Sequence, residues 1–137
     1  MNQRGFATLE VILMVMVIGI LASIAVPRFT SVTTAANTAK IQADLSTIDT
    51  AIAVYYMEHG SYPQNFPNDL SEYLQDATSI EPPSGKVFIR GTSDKEEKDI
   101  PKNAKYEFSD DKSRAVLKID GTAKMAGDFT MQKSAKE

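Results

Sequence analysis

From Phe6 to Val26 the chain runs through 21 residues in which Glu10 is the sole charge. At about 1.5 Å per residue such a stretch makes roughly 32 Å of helix, enough to cross the hydrocarbon core of a bilayer. In a chain of 137 residues that leaves room for one small soluble domain after it. A charge in such a segment costs about 2.5 to 3.5 kcal/mol at a helix centre and less near an end. Glu10 therefore calls for an explanation.

Three readings compete. In a cleaved secretory signal, Arg4 is the basic region and Ser23-Ile24-Ala25 the small-residue cleavage site. That reading has no use for the glutamate. In a plain uncleaved anchor, Glu10 snorkels to the interface, and the Gly5-Phe6 junction before it has no role. The third reading uses both features. Gly5-Phe6-Ala7-Thr8-Leu9-Glu10, with a short hydrophilic leader before it and the apolar run and Pro27 after it, resembles the N-terminus of type IV pilins and type II secretion pseudopilins.

The resemblance covers residues 4–29 and weakens beyond Pro63. It implies that a membrane-embedded prepilin peptidase cuts between Gly5 and Phe6 and that Phe6 becomes an N-methylated first residue. Glu10 stands at the family's glutamate position, although Ala7-Thr8-Leu9 departs mildly from the usual residues between. The resemblance also implies a precursor stored as a single-pass protein of the cytoplasmic membrane. That precursor would assemble with copies of itself, through an assembly-platform membrane protein and an assembly ATPase, into an extracellular pilus or a periplasmic pseudopilus. Once the leader is gone, the ammonium of Phe6 and the carboxylate of Glu10 are each costly in low dielectric alone, and each lowers the other's cost when paired. In the family the partner amine belongs to the neighbouring subunit. A membrane-tethered binding module that never polymerises is the competing class.

Beyond the apolar run, residues 30–59 contain no proline or glycine, and Gly60 with Pro63 supplies a stop. Ile41, Leu45, Ile48, Ile52 and Tyr55 recur in steps of four and three, which is one helix face. Displaced from them run Ala36, Ala39, Ala43, Ser46, Thr50 and Ala53, a stripe of small residues that admits close approach of other helices. Gly19 and Ser23 repeat the small-xxx-small spacing inside the apolar run. Gly19 and Pro27 weaken helix propagation, so the expectation is a kink or melted segment between them. The assembly residues expected are thus Glu10, Gly19, Ser23, Pro27, Ala36, Ala39 and Ala43.

The expected fold class is α+β: a long N-terminal helix whose second half packs on a small antiparallel sheet. Its parts are a leader (1–5), an apolar assembly helix (6–29), an amphipathic continuation (30–59), a connector with a short helix capped by Asn68 (60–85), a sheet (86–131) and a mobile tail (132–137). The strand candidates are residues 86–90, 105–108 and 114–120, the last with Ala115, Leu117 and Ile119 on one face. Ser109 to Ser113 reads as a hairpin turn, and Asp94 to Asp99 as a solvated loop.

Little in the chain suggests catalysis or nucleic acid. From Gly60 onward 12 Lys and Arg intersperse with 14 Asp and Glu, so no basic stripe faces phosphates. The chain has no cysteine, which leaves its redox compartment open. His59 is the sole histidine and ends the amphipathic segment, a place for capping rather than acid–base work. The acidic groups at Asp94–Asp99 and Asp110-Asp111 lack the alternating spacing of an EF-hand. The resemblance admits a calcium ion in such a loop, but the expectation is no cofactor and no metal.

Overall fold

The computed structural model describes residues 3–91 and 94–131, and within helix α1 it leaves aside the side chains of Pro27 and Arg28. The order is α1 (Gln3–His59), a one-turn 3-10 helix (Asn68–Leu70), β1 (Lys86–Arg90), β2 (Lys95–Asp99), β3 (Tyr106–Phe108), β4 (Ala115–Ile119), β5 (Thr122–Lys124) and a second 3-10 turn (Ala126–Asp128). The expected tail and the first two leader residues lie outside the described residues. The chain divides into two compact units, Met1–Thr33 and Thr34–Glu137.

Helix α1 continues without a break through Gly19 and Pro27, so no melted segment lies between them. A proline removes one backbone donor and glycine costs about 1 kcal/mol relative to alanine, and neither penalty suffices to end this helix. The helix stops at Gly60, whose N–H returns to the Tyr56 carbonyl at 2.8 Å and whose φ of +68° is the left-handed conformation that closes a helix. His59 stays on the surface, stacked 4.2 Å from the Tyr55 ring.

In the second unit the core forms where the expected stripe lies. Ile41, Leu45, Ile48 and Ile52 are buried, and Tyr55 is half-buried against them. They meet Val87 and Ile89 of β1, Leu117 and Ile119 of β4, and Leu70 and Leu74 of the connector. Phe129 closes the core from the C-terminal side: it bridges to Ile89, the Thr130 N–H donates to the Phe88 carbonyl, and Gln42 Nε2 donates to the Phe129 carbonyl at 2.5 Å.

Two small sheets replace the one expected, a pair β1-β2 and a triple β3-β4-β5, all antiparallel. The run Asp94–Asp99, expected as a solvated loop, supplies β2. It pairs along the whole of β1, from Lys86↔Asp99 to Arg90↔Lys95. Backbone pairing needs no apolar side chain, and a charged outer strand is a common way of protecting a sheet edge. Gly91 closes the hairpin by donating to the Asp94 carbonyl, and a Cβ there would lie 2.4 Å from that oxygen. Strand β5 was not expected either. Asp120 and Gly121, both at positive φ, form the two-residue turn that leads into it.

The hairpin turn at Ser109 to Ser113 is present: the Ser109 N–H donates to the Arg114 carbonyl, and Asp111 accepts from the Ser109 and Ser113 hydroxyls, which hold its carboxyl below the usual range. Asn68 is not a cap. Pro67 precedes the 3-10 turn without a side-chain cap bond, and the Asp69 carboxylate instead ties the turn to the preceding loop, accepting from the Gln64 and Asn65 amides at 2.7 and 2.9 Å.

Candidate functional site

Among the described residues before Thr34 no side chain is buried. Phe6 is 73% exposed, and Leu9, Leu13, Met16, Ile20, Ile24 and Phe29 are all exposed. The helix through this region is long and apolar enough to cross a membrane, and none of its most apolar window is buried. Two of its hydroxyls are turned inward: Thr8 Oγ1 donates to the Arg4 carbonyl at 2.8 Å, and Ser23 Oγ to the Ile20 carbonyl at 2.7 Å. Satisfying hydroxyls on the helix's own carbonyls leaves an outer surface that lipid or another apolar helix can cover without stranding a donor.

Gly5, Phe6 and Glu10 all lie on α1, with Gly5 and Glu10 exposed alongside Phe6. Phe6 and Glu10 are four residues apart, just over one turn, so the glutamate sits about 6 Å further along the axis than the residue expected to become the amino terminus. Gly5 and Gly19 have nothing within 4 Å of where a Cβ would stand, so neither is a glycine for the sake of this chain's own packing. Ser23 is exposed, and the backbone of Pro27 is helical.

In the second unit Ala36, Ala39 and Ala43 are exposed, as are Ser46, Thr50 and Ala53, while Ile41, Leu45, Ile48 and Ile52 are buried. Thr47 and Thr50 donate their hydroxyls to the Ala43 and Ser46 carbonyls, so this face too presents little unpaired polarity.

The carboxylates of this half of α1 hold the sheets in place. Asp44 Oδ2 accepts from the Tyr106 hydroxyl at 2.7 Å and from Lys40 at 2.6 Å. Burial, then the bond to Asp44, pushes the Tyr106 phenol well up from its ordinary value. Asp49 Oδ1 accepts from the Ala115 N–H at 2.6 Å, and its other oxygen faces Arg114 at 3.6 Å. Thr38, fully buried, accepts from the Phe88 N–H at 2.9 Å and donates to the Thr34 carbonyl at 2.7 Å. The sequence reading missed Thr34 and Thr38, although they extend the buried stripe backward from Ile41 in steps of three and four.

Among the described residues no group of three or more His, Cys, Asp and Glu is placed to hold a metal. Asp94, within the acidic run, bonds its own neighbour's amide at Lys95. Elsewhere carboxylates serve as hydrogen-bond acceptors, as where Tyr73 donates to Glu58 at 2.5 Å and that bond holds the phenol up at about 12.

No family model and no solved structure matches the chain. Curated proteins do. The chain is 29% identical over 108 residues to the type IV major pilin protein PilE1 of Neisseria gonorrhoeae, covering 75% of this chain and 50% of that one. It is 31% identical over 81 residues to the type II secretion system core protein G of Escherichia coli, covering 59% and 54%. With the type IV narrow pilus major component PilA5 of Thermus thermophilus it shares 35% over 63 residues, covering 46% and 54%. The chain thus spans about half the length of these relatives. None of them carries an enzyme's name. Its curated relatives are type IV pilins and type II secretion core proteins, the same family that the residues from Gly5 to Glu10 resemble.

Proposed function

We propose that the chain is a prepilin, the stored precursor of the main structural subunit of a helical filament. The leader is removed between Gly5 and Phe6, the apolar stem holds the subunit in the cytoplasmic membrane, and assembly buries the stems inside with the globular domains outside. The observation that supports this most is the pairing of an entirely exposed apolar helix with a domain that completes its own core. The stem needs an apolar environment from elsewhere; the domain does not.

In the filament, the Phe6 ammonium of one subunit pairs with Glu10 of a neighbour. An incoming subunit thereby satisfies a charge that is stranded in the membrane, and the pair sets its register. The peptidase, the platform protein and the ATPase are the machinery this reading calls for. The likeness to core protein G supports a second form of the same reading, a short periplasmic pseudopilus in a secretion system.

Electron microscopy of sheared surface material, with mass spectrometry of its subunit, tests the proposal. The expected result is filaments whose subunit begins at N-methylated Phe6. A mature terminus at Val26 overturns it, and filaments found only in the periplasm favour the pseudopilus. Gly5→Val puts a branched side chain at the scissile bond and should leave the leader attached. Glu10→Leu, co-expressed with the native chain, should be processed and stay in the membrane yet be scarce in sheared filaments, since a buried pair broken on one side costs about 3 to 5 kcal/mol. Incorporation in proportion to expression would show that Glu10 does not pair.

A further inference from the structure

Strand β3 is an outer strand of its sheet, bonded on one side only, to β4. The Ser109 N–H donates to the Arg114 carbonyl, so in this register the backbone groups of Glu107 also turn toward β4. In an antiparallel pair these orientations alternate, which turns the N–H and C=O of Tyr106 and Phe108 the other way. Among the described residues those groups have no hydrogen-bond partner. A cavity of about 430 Å³ lies along the strand. Lys105, Tyr106, Glu107 and Phe108 all line it, although successive side chains point to opposite faces, so it follows the edge of the sheet and not one face of it.

The other walls come from the connector. Phe66, packed edge-on against Phe108 at 5.4 Å, and Ile80 give an apolar floor. Two charges on the rim, Lys105 just before the strand and Glu81 on the connector, are exposed and have no ion-pair partner among the described residues, whereas Glu107 is taken by Lys118 at 2.7 Å. An unpaired row of backbone donors and acceptors, an apolar floor and one free charge of each sign are together complementary to one kind of ligand. We propose that this slot binds a short extended peptide segment of a partner protein, which adds a strand to β3. Its acidic side chain would meet Lys105, its basic side chain Glu81, and the small apolar side chain between them the floor. At roughly 3.3 Å per residue, the three residues of β3 match a peptide of about the same length. This site lies in the globular domain and stands independently of whether the stem polymerises.

The test uses the full chain in detergent micelles, with the backbone amides followed by NMR as the capped tripeptide glutamyl-valyl-lysine is added. The expected result is a saturable downfield shift of the Tyr106 and Phe108 amides, lost when the peptide's backbone nitrogens are methylated. Lys105→Glu should weaken binding by up to about fivefold, the size of one exposed ion pair, and the double variant Lys105→Glu/Glu81→Lys should prefer the charge-reversed tripeptide. Shifts that survive N-methylation, no shift of these two amides, or amides already protected by self-association without peptide would each overturn the proposal. The unaltered spectrum of the remaining domain shows whether each variant is folded.

Discussion

Before Thr34, large apolar side chains such as Leu13, Ile20, Ile24 and Phe29 face outward; after it, Ile41, Leu45, Ile48 and Ile52 have essentially no exposed surface. Both sets belong to one helix, α1, and both are about equally apolar, so helix formation does not distinguish them. What distinguishes them is the rest of the chain. The second half of α1 is amphipathic at helical period and has two sheets to pack on, whereas the first half is apolar all round and its large apolar side chains are exposed among the described residues. The apolar half is therefore the part whose surface the proposed membrane and filament contacts would cover.

Four experiments would break or sharpen that contrast. The largest effect is expected from Leu45→Ala, which opens a cavity in the core and should cost about 2 to 5 kcal/mol of domain stability in denaturant melts, while Leu13→Ala should cost the domain nothing measurable. Equal losses would mean that the stem shares the domain's core. Next comes Asp49→Ala, which leaves the Ala115 N–H without its acceptor; a loss of about 1 to 3 kcal/mol is expected, read in the same melts. If the loss is absent, the carboxylates of α1 do not dock the triple sheet.

The third concerns acid. Bonds from the Asn65 and then the Gln64 backbone amides hold the Asp69 carboxyl below its ordinary value. A group depressed in the folded state contributes stability that is fully present above its unfolded pKa, near 3.9, and is lost as pH falls through the folded value. Melts taken from neutral pH downward should therefore show a steeper acid limb for the native chain than for Asp69→Asn. Parallel limbs would remove Asp69 from the account of the connector. The smallest effect on the domain is expected from Ala43→Leu on the exposed small-residue stripe, within about 0.5 kcal/mol. Filament yield should nevertheless fall, and a destabilised domain with normal filaments would reverse the assignment of the two faces.

The helix and its two stripes were legible because both are periodic over many turns, and β1 was placed residue for residue because the apolar run Val87-Phe88-Ile89 follows the turn signals at Pro82 to Gly85. Strand β4 was legible on the face carrying Ala115, Leu117 and Ile119, yet Val116 on the other face is buried too. From Gly5 to Glu10 the candidate site was legible as a motif. Its geometry adds that each of these residues is exposed on a continuous helix, with the nearby hydroxyls satisfied internally.

By itself the sequence determined what depends on neighbours along the chain: a membrane-length apolar helix, its amphipathic continuation, the stop at Gly60 and the hairpin turn after β3. Tertiary structure decided the rest. Lys95–Asp99 carries no apolar pattern and is a strand because β1 offers its backbone a partner. Thr38 is buried because the Phe88 amide needs an acceptor there, and Asp44 and Asp49 are structural because Tyr106 and the Ala115 amide arrive beside them. A backbone edge or a hydrogen-bond partner brought in from tens of residues away leaves no periodic trace in either segment, since the bond is made by groups that every residue, or any polar residue, can supply.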